Sequence, residues 1–169
     1  QEAPTSKSVR FKWREHVTKT VSENGEALEK FCNALKDGNS EVVEQSLNNY
    51  LKRTISIRDT FVKKQMKENF YHGILLGILG FQQNWSVSLN KESGDGYSDI
   101  MIETEDQETG IIIEIKYAET GNLEAVSEDA LKQIEDRRYE EQLLEEGVEH
   151  ILKYGIAFYK KKCKVMAVK

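Results

Sequence analysis

The spacing of hydrophobic positions changes midway along this chain. In "NGEALEKFCNALKDGN" the apolar residues Ala27, Leu28, Phe31, Cys32 and Leu35 recur with the 3.6-residue period of an amphipathic helix, and Gly38 predicts its stop. "SEVVEQSLNNYLKR" repeats the stripe at Val43, Leu47, Tyr50 and Leu51, with Ser40 expected as N-cap. Helices are expected over residues 8 to 54, and a longer one over about 60 to 80, basic at its start (Lys63, Lys64, Lys67) and apolar at its end. From residue 85 the period becomes two. "WSVSL" and "YSDIMIE" alternate, "GIIIEIKYA" is a nearly continuous β-branched run, and the turn-forming "NKESGDG" and "TEDQETG" separate the three strands. Residues 124 to 146 return to an acidic helical pattern, and "YGIAFYKKKCKVMAV" predicts two closing strands. Helix, three strands, helix and two strands predict an α/β domain with a mixed sheet.

The isoleucine-rich strand raises a chemical question. Alternate strand residues share a face, so Glu114 and Lys116 lie on one face with Ile112, while Ile111, Ile113, Ile115 and Tyr117 lie on the other. A strand apolar on both faces is expected inside a sheet, where an isolated charge costs several kcal/mol unless it is paired or bound to a metal. Two resolutions stand open. Glu114 and Lys116 pair with each other or with a helix at the end of the sheet; or Asp99, at the start of the preceding strand, meets Glu114 across an antiparallel pair. In the second case two carboxylates and a backbone carbonyl make a hard oxygen site for Mg²⁺ or Mn²⁺, and the lysine orients a water or stabilises developing charge.

Composition narrows the class. A chain of 169 residues with 38% hydrophobic and 31% charged residues and one proline has the profile of an ordered globular domain. Cys32 and Cys163 form no CxxC pair, so neither a disulfide framework nor a zinc ribbon is expected, and a reducing, cytoplasmic setting is the default. "FYHGILLGILGF" is shorter than the roughly 20 residues of a membrane span and reads as a buried helix. Because the first residue is Gln, the chain is expected to be a trimmed piece of a longer protein. Residues 68 to 169 hold 11 Lys and Arg against 20 Asp and Glu, so any polyanion partner needs a divalent cation or a local basic patch to offset repulsion. "GDGYSD" lacks the third glycine of a dinucleotide motif and precedes a strand, and there is no GxxxxGK[ST] phosphate loop.

Asp99, then a loop, then Glu114, Ile115 and Lys116 on an isoleucine-rich strand between two helices resembles the PD-(D/E)xK nuclease superfamily. "ENFYHGILLGIL", "ESGDGYSDIMIE", "IIIEIKYA", "ALKQIEDRRY" and "KYGIAFYKKKCKV" together are similar to the nuclease-like domain at the C-terminus of bacterial proteins whose N-terminal part is an AAA-ATPase-like domain. The likeness covers about residues 66 to 168, and residues 8 to 60 look like the helical segment that precedes it. It implies a restriction-endonuclease-like α/β core, a mixed sheet flanked by helices, at 61–169, behind an N-terminal helical segment at 1–60. It further implies that Asp99, Glu114 and the carbonyl of Ile115 ligate Mg²⁺ or Mn²⁺ and that Lys116 is the catalytic lysine. Glu68 matches an acidic residue placed beside the metal, and Gln133 a glutamine bordering the site. Tyr139 follows Gln133 by six positions, where the QxxxY pattern has four, and Ser98 stands where the superfamily name has proline.

Plainer roles exist for several of these residues. Glu68 near a helix start suits the macrodipole, His72 suits a hydrogen-bonded helix histidine, Gln133 suits a solvated helix face, and "KKKCK" suits a solvated turn. Two functions follow. One is a metal-dependent nuclease acting on DNA ahead of RNA. The other is a catalytically silent nuclease-fold module serving an AAA-ATPase-like partner domain.

Overall fold

A computed structural model of the chain describes residues 25–54, 64–89, 99–136 and 139–169. Helices α1 (Gly25–Asp37), α2 (Ser40–Thr54) and α3 (Lys64–Leu79) precede strands β1 (Ser86–Leu89), β2 (Ile100–Glu103) and β3 (Thr109–Tyr117). Helices α4 (Leu123–Asp136) and α5 (Tyr139–Glu145) lead to β4 (His150–Tyr159) and β5 (Lys162–Val168). The expected helices at 8–24, the start of the third helix before residue 64, and the turn residues 90–98 lie outside the described residues.

Helix α1 ends where Gly38 takes a φ of 75°. The Asn39 N–H donates to Ala34 O at 2.9 Å and the Gly38 N–H to Leu35 O at 3.4 Å, which satisfies carbonyls the helix end would otherwise strand. The N-cap of α2 is Asn39, one residue before the expected Ser40: Asn39 Oδ1 accepts the Val42 N–H at 3.2 Å. Asparagine is a good cap and already stands at the end of the glycine turn, so Ser40 becomes the first helical residue. The acidic stretch read as a single helical pattern is two helices, α4 and α5.

The five strands lie in the order β1-β2-β3-β4-β5, antiparallel except for the parallel β3–β4 pair. A parallel pair needs a crossover, and α4 and α5 supply it. They also cover one face of the sheet, where Met101, Ile112, Ile134, Leu143 and Val148 pack together. On the other face Ile111, Ile113 and Tyr117 join the larger core with residues of α1, α2 and α3, including Phe31, Leu47 and Leu75. The two faces of β3 therefore have the assignment that alternation predicts. Strand β4 starts four residues before "YGIAFY" because Thr109 to Ile112 of β3 pair with His150 to Lys153. Gly155 allows the crossover helix to sit close: a Cβ there would lie 2.3 Å from Ser127 O, and Ser127 Oγ donates to Gly155 O at 2.7 Å.

Candidate metal centre

The β2–β3 register pairs Ile100 with Ile113 and Met101 with Ile112. One further antiparallel step sets Asp99 opposite Glu114, on the face shared by Met101 and Ile112. Both carboxylates are buried, at 1% and 7% exposure. Lys116 follows on the same face and is half-buried. Among the described residues no ion pair joins Glu114 to Lys116, nor does Lys116 enter any other. Mutual pairing of the two, the structural resolution open from sequence, is therefore not how the strand accommodates them. Glu114 and Lys116 lie beside Gly155 and Ala157 of β4, and over Gly155 the backbone of α4 at Ser127 closes on that face.

Backbone direction identifies a third oxygen. In an extended strand a residue's N–H and C=O point to one edge and those of its neighbours to the other. The Ala118 N–H donates to Phe158 O of β4 at 2.8 Å, so the peptide groups of Tyr117 and Ile115 turn toward the β2 edge. There the β2–β3 ladder has already ended at Ile113. Glu68, half-buried on α3, fills part of this opening: its Oε1 accepts the Tyr117 N–H at 3.1 Å. Sequence alone did not show this contact. The carbonyl of Ile115 thus faces the edge that Glu68 reaches, beside the end of β2 at Asp99.

Gln133 is half-buried on α4, next to Ile134 in the stripe that covers the Ile112 face. His72 is buried one turn after Glu68. Of Tyr139 only its place at the start of α5 is described. No group of three or more His, Cys, Asp and Glu side chains that could hold a metal is gathered among the described residues. The groups that could serve as donors at this edge are two carboxylates and a carbonyl, all oxygen, a chemistry that suits a small hard cation.

The surrounding aromatic residues set the position of the strand end. Tyr71, on α3 one turn past Glu68, stacks on Phe158 at 4.3 Å and lies 6.0 Å from Tyr117. Its hydroxyl donates to Lys160 O at 2.6 Å, and burial pushes that phenol well above its ordinary pKa, so the donor proton stays in place. The Lys67 ammonium lies 4.5 Å from the Tyr117 ring centroid. The signal in sequence was weak: Lys67, Glu68 and Tyr71 share a helical face, but nothing in their spacing identifies the strand they meet.

Among the described residues no helix is long and apolar enough to cross a membrane. In a comparison with known families, residues 66–168 match the family described as the PD-(D/E)XK nuclease superfamily. No curated protein matches the chain.

Proposed function

The chain belongs to the PD-(D/E)XK nuclease superfamily, and on that premise we propose that it is a divalent-metal-dependent nuclease that hydrolyses phosphodiester bonds of DNA, ahead of RNA, at Asp99, Glu114 and Lys116. One observation carries the reading. Two buried carboxylates lie just past the end of the β2–β3 ladder, near a lysine that enters no ion pair among the described residues.

In this reading Asp99, Glu114 and the Ile115 carbonyl hold Mg²⁺ or Mn²⁺. A bound cation supplies polarisation of the scissile phosphate and lowers the pKa of an attacking water. Lys116 donates hydrogen bonds to that water or to the phosphate oxygen on which charge builds. Glu68 is a positioning residue: by holding the Tyr117 amide it fixes the direction of the Ile115 carbonyl and the stem of Lys116. Its second oxygen keeps acceptor capacity for a water at the same edge. Gln133 borders the site from α4. The substrate screen presents linear duplex, supercoiled plasmid, single-stranded DNA and RNA with Mn²⁺. The parent should cleave at least one, and Glu114→Ala and Lys116→Ala should lower that cleavage by about 10²-fold or more. Equal cleavage by the variants and the parent would remove the assignment.

A second reading rests on the crossover helices. Glu124, Glu128 and Asp129 of α4 and Glu141 and Glu145 of α5 are exposed, a surface that repels nucleic acid and suits a basic protein partner. A catalytically silent module serving an AAA-ATPase-like domain of the parent chain would use that face. It predicts no Mn²⁺ binding at Asp99 and Glu114.

A further inference from the structure

Resting on the nuclease reading, we infer that the β4–β5 turn is a phosphate grip: Lys160, Lys161 and Lys162 hold the nucleic-acid backbone against the end of the sheet where Lys116 emerges. Charge distribution is the first argument. Residues 68 to 169 carry 11 basic residues against 20 acidic ones, and four of the 11 fall between 160 and 164. The acidic domain concentrates its positive charge at one turn.

Three of those four lysines are also uncommitted among the described residues. Lys164 pairs with Glu44 at 3.4 Å, Lys153 with Glu140 at 2.6 Å, and Lys36 with Glu105 and Asp106. Among the described residues Lys160, Lys161 and Lys162 enter no ion pair. Lys160 and Lys162 are exposed. The Lys160 ammonium lies 5.1 Å from the Tyr159 ring centroid, a contact that steadies the side chain without neutralising it.

The turn is placed and anchored for the role. Strand β4 runs parallel to β3 with Phe158 beside Tyr117, so residues 160 and 161 lie just past the strand end that carries Lys116. Helix α3 holds both features: Glu68 takes the Tyr117 amide, and Tyr71 donates to the Lys160 carbonyl. The grip and the metal edge are thereby fixed to one helix, whereas a merely solvated turn needs no such anchor. Lys160 also takes a φ of 51°, the left-handed region that ordinarily selects glycine or asparagine. A lysine there gives up local preference for a side chain that projects from the turn.

Phosphate contacts position a duplex or single strand without reading its sequence, and each leaves a mark in salt dependence. The test is fluorescence anisotropy of a labelled short duplex in metal-free buffer, so that cleavage does not intervene, between 50 and 200 mM salt. The parent is compared with Lys160→Asn/Lys161→Gln/Lys162→Gln, in which asparagine keeps the left-handed turn. Three lost contacts should flatten the log–log salt slope by about 2.7, so that the parent loses roughly 40-fold more affinity than the variant across that range. A Lys161→Arg/Lys162→Arg protein should keep the parent slope, which separates charge from folding. An unchanged slope in the neutralised variant, or no binding by the parent, overturns the grip. Neither result touches the metal assignment, which is read by Mn²⁺ binding; a dead metal site in turn leaves the slope difference intact.

Discussion

Each end of β3 carries two carboxylates and a lysine, and the two sets have different chemistry. At the β2–β3 turn Lys36 Nζ reaches Glu105 Oε1 at 2.7 Å and Asp106 Oδ2 at 3.0 Å. Asp106 Oδ1 accepts from the Thr104 hydroxyl and the amides of Glu108 and Thr109, and the Trp85 indole N–H donates to Glu105. This set is exposed and closed. The Thr104 hydrogen bond above all, with the Glu108 amide and Lys36, holds the Asp106 carboxyl well below its ordinary range, and Lys36 lowers Glu105. At the opposite end Asp99 and Glu114 are buried, and Lys116 enters no ion pair among the described residues. Residue type does not distinguish the two ends; burial next to an open strand edge does. A closed set has its charges satisfied within itself, whereas two buried carboxylates near one another disfavour the doubly charged state, which a bound cation would relieve.

The sharpest way to break the comparison is to exchange lysine losses between the ends. Lys116→Ala should lower cleavage by about 10²-fold or more, the scale of losing one donor at a developing charge. Lys36→Ala should leave cleavage unchanged and lower the melting temperature. The reverse pattern, in kinetics and thermal melts on both proteins, would place the chemistry at the wrong end.

Next in size is the seat of the crossover helix. Gly155→Ala puts a methyl group 2.3 Å from Ser127 O beside Glu114, at a cost of about 3 kcal/mol in urea unfolding. A variant as stable as the parent would mean that α4 does not lie against β4 there.

Asp106→Ala tests the closed end by pH. Because the folded carboxyl titrates below its ordinary 3.8, its contribution is present above that pH and is lost as pH falls through the folded value. The variant should melt a few degrees below the parent at neutral pH, and the gap should narrow in acid. A gap that stays constant with pH assigns the loss to turn geometry alone.

The smallest effect has the opposite sign. Glu103 is pushed up first by its hydrogen bond to Glu146, then by burial and by the Glu146 charge. Its contribution is therefore present below 4.5 and lost as pH rises, so Glu146→Gln should stabilise the neutral protein, by up to about 0.5 kcal/mol. Destabilisation at pH 7 would contradict the repulsion between Glu103 and Glu146.

Much of this contrast was legible in the sequence. Alternation alone put Glu114 and Lys116 on one face of an interior strand, because a period of two leaves no other arrangement once both faces begin with isoleucine. Asp99 could be placed at the head of the neighbouring strand for the same reason. The contact of Glu68 with the Tyr117 amide was not legible, since it joins residues 49 positions apart through backbone direction rather than side-chain pattern. Asn39 displaced Ser40 as the cap because two good capping residues stood side by side, and only the glycine turn decided between them. Gly155 carried a readable hint, a glycine inside a strand, but the helix that needs the space is nearly 30 residues away in the chain.

The central claim is that the buried carboxylates at the open end form a metal site, and Mn²⁺ titration by calorimetry on the parent and on Asp99→Asn tests it most directly. One site in the parent that disappears in the variant is the expected result. No heat of binding in the parent, or the same isotherm in both proteins, would contradict the account and favour the interaction module.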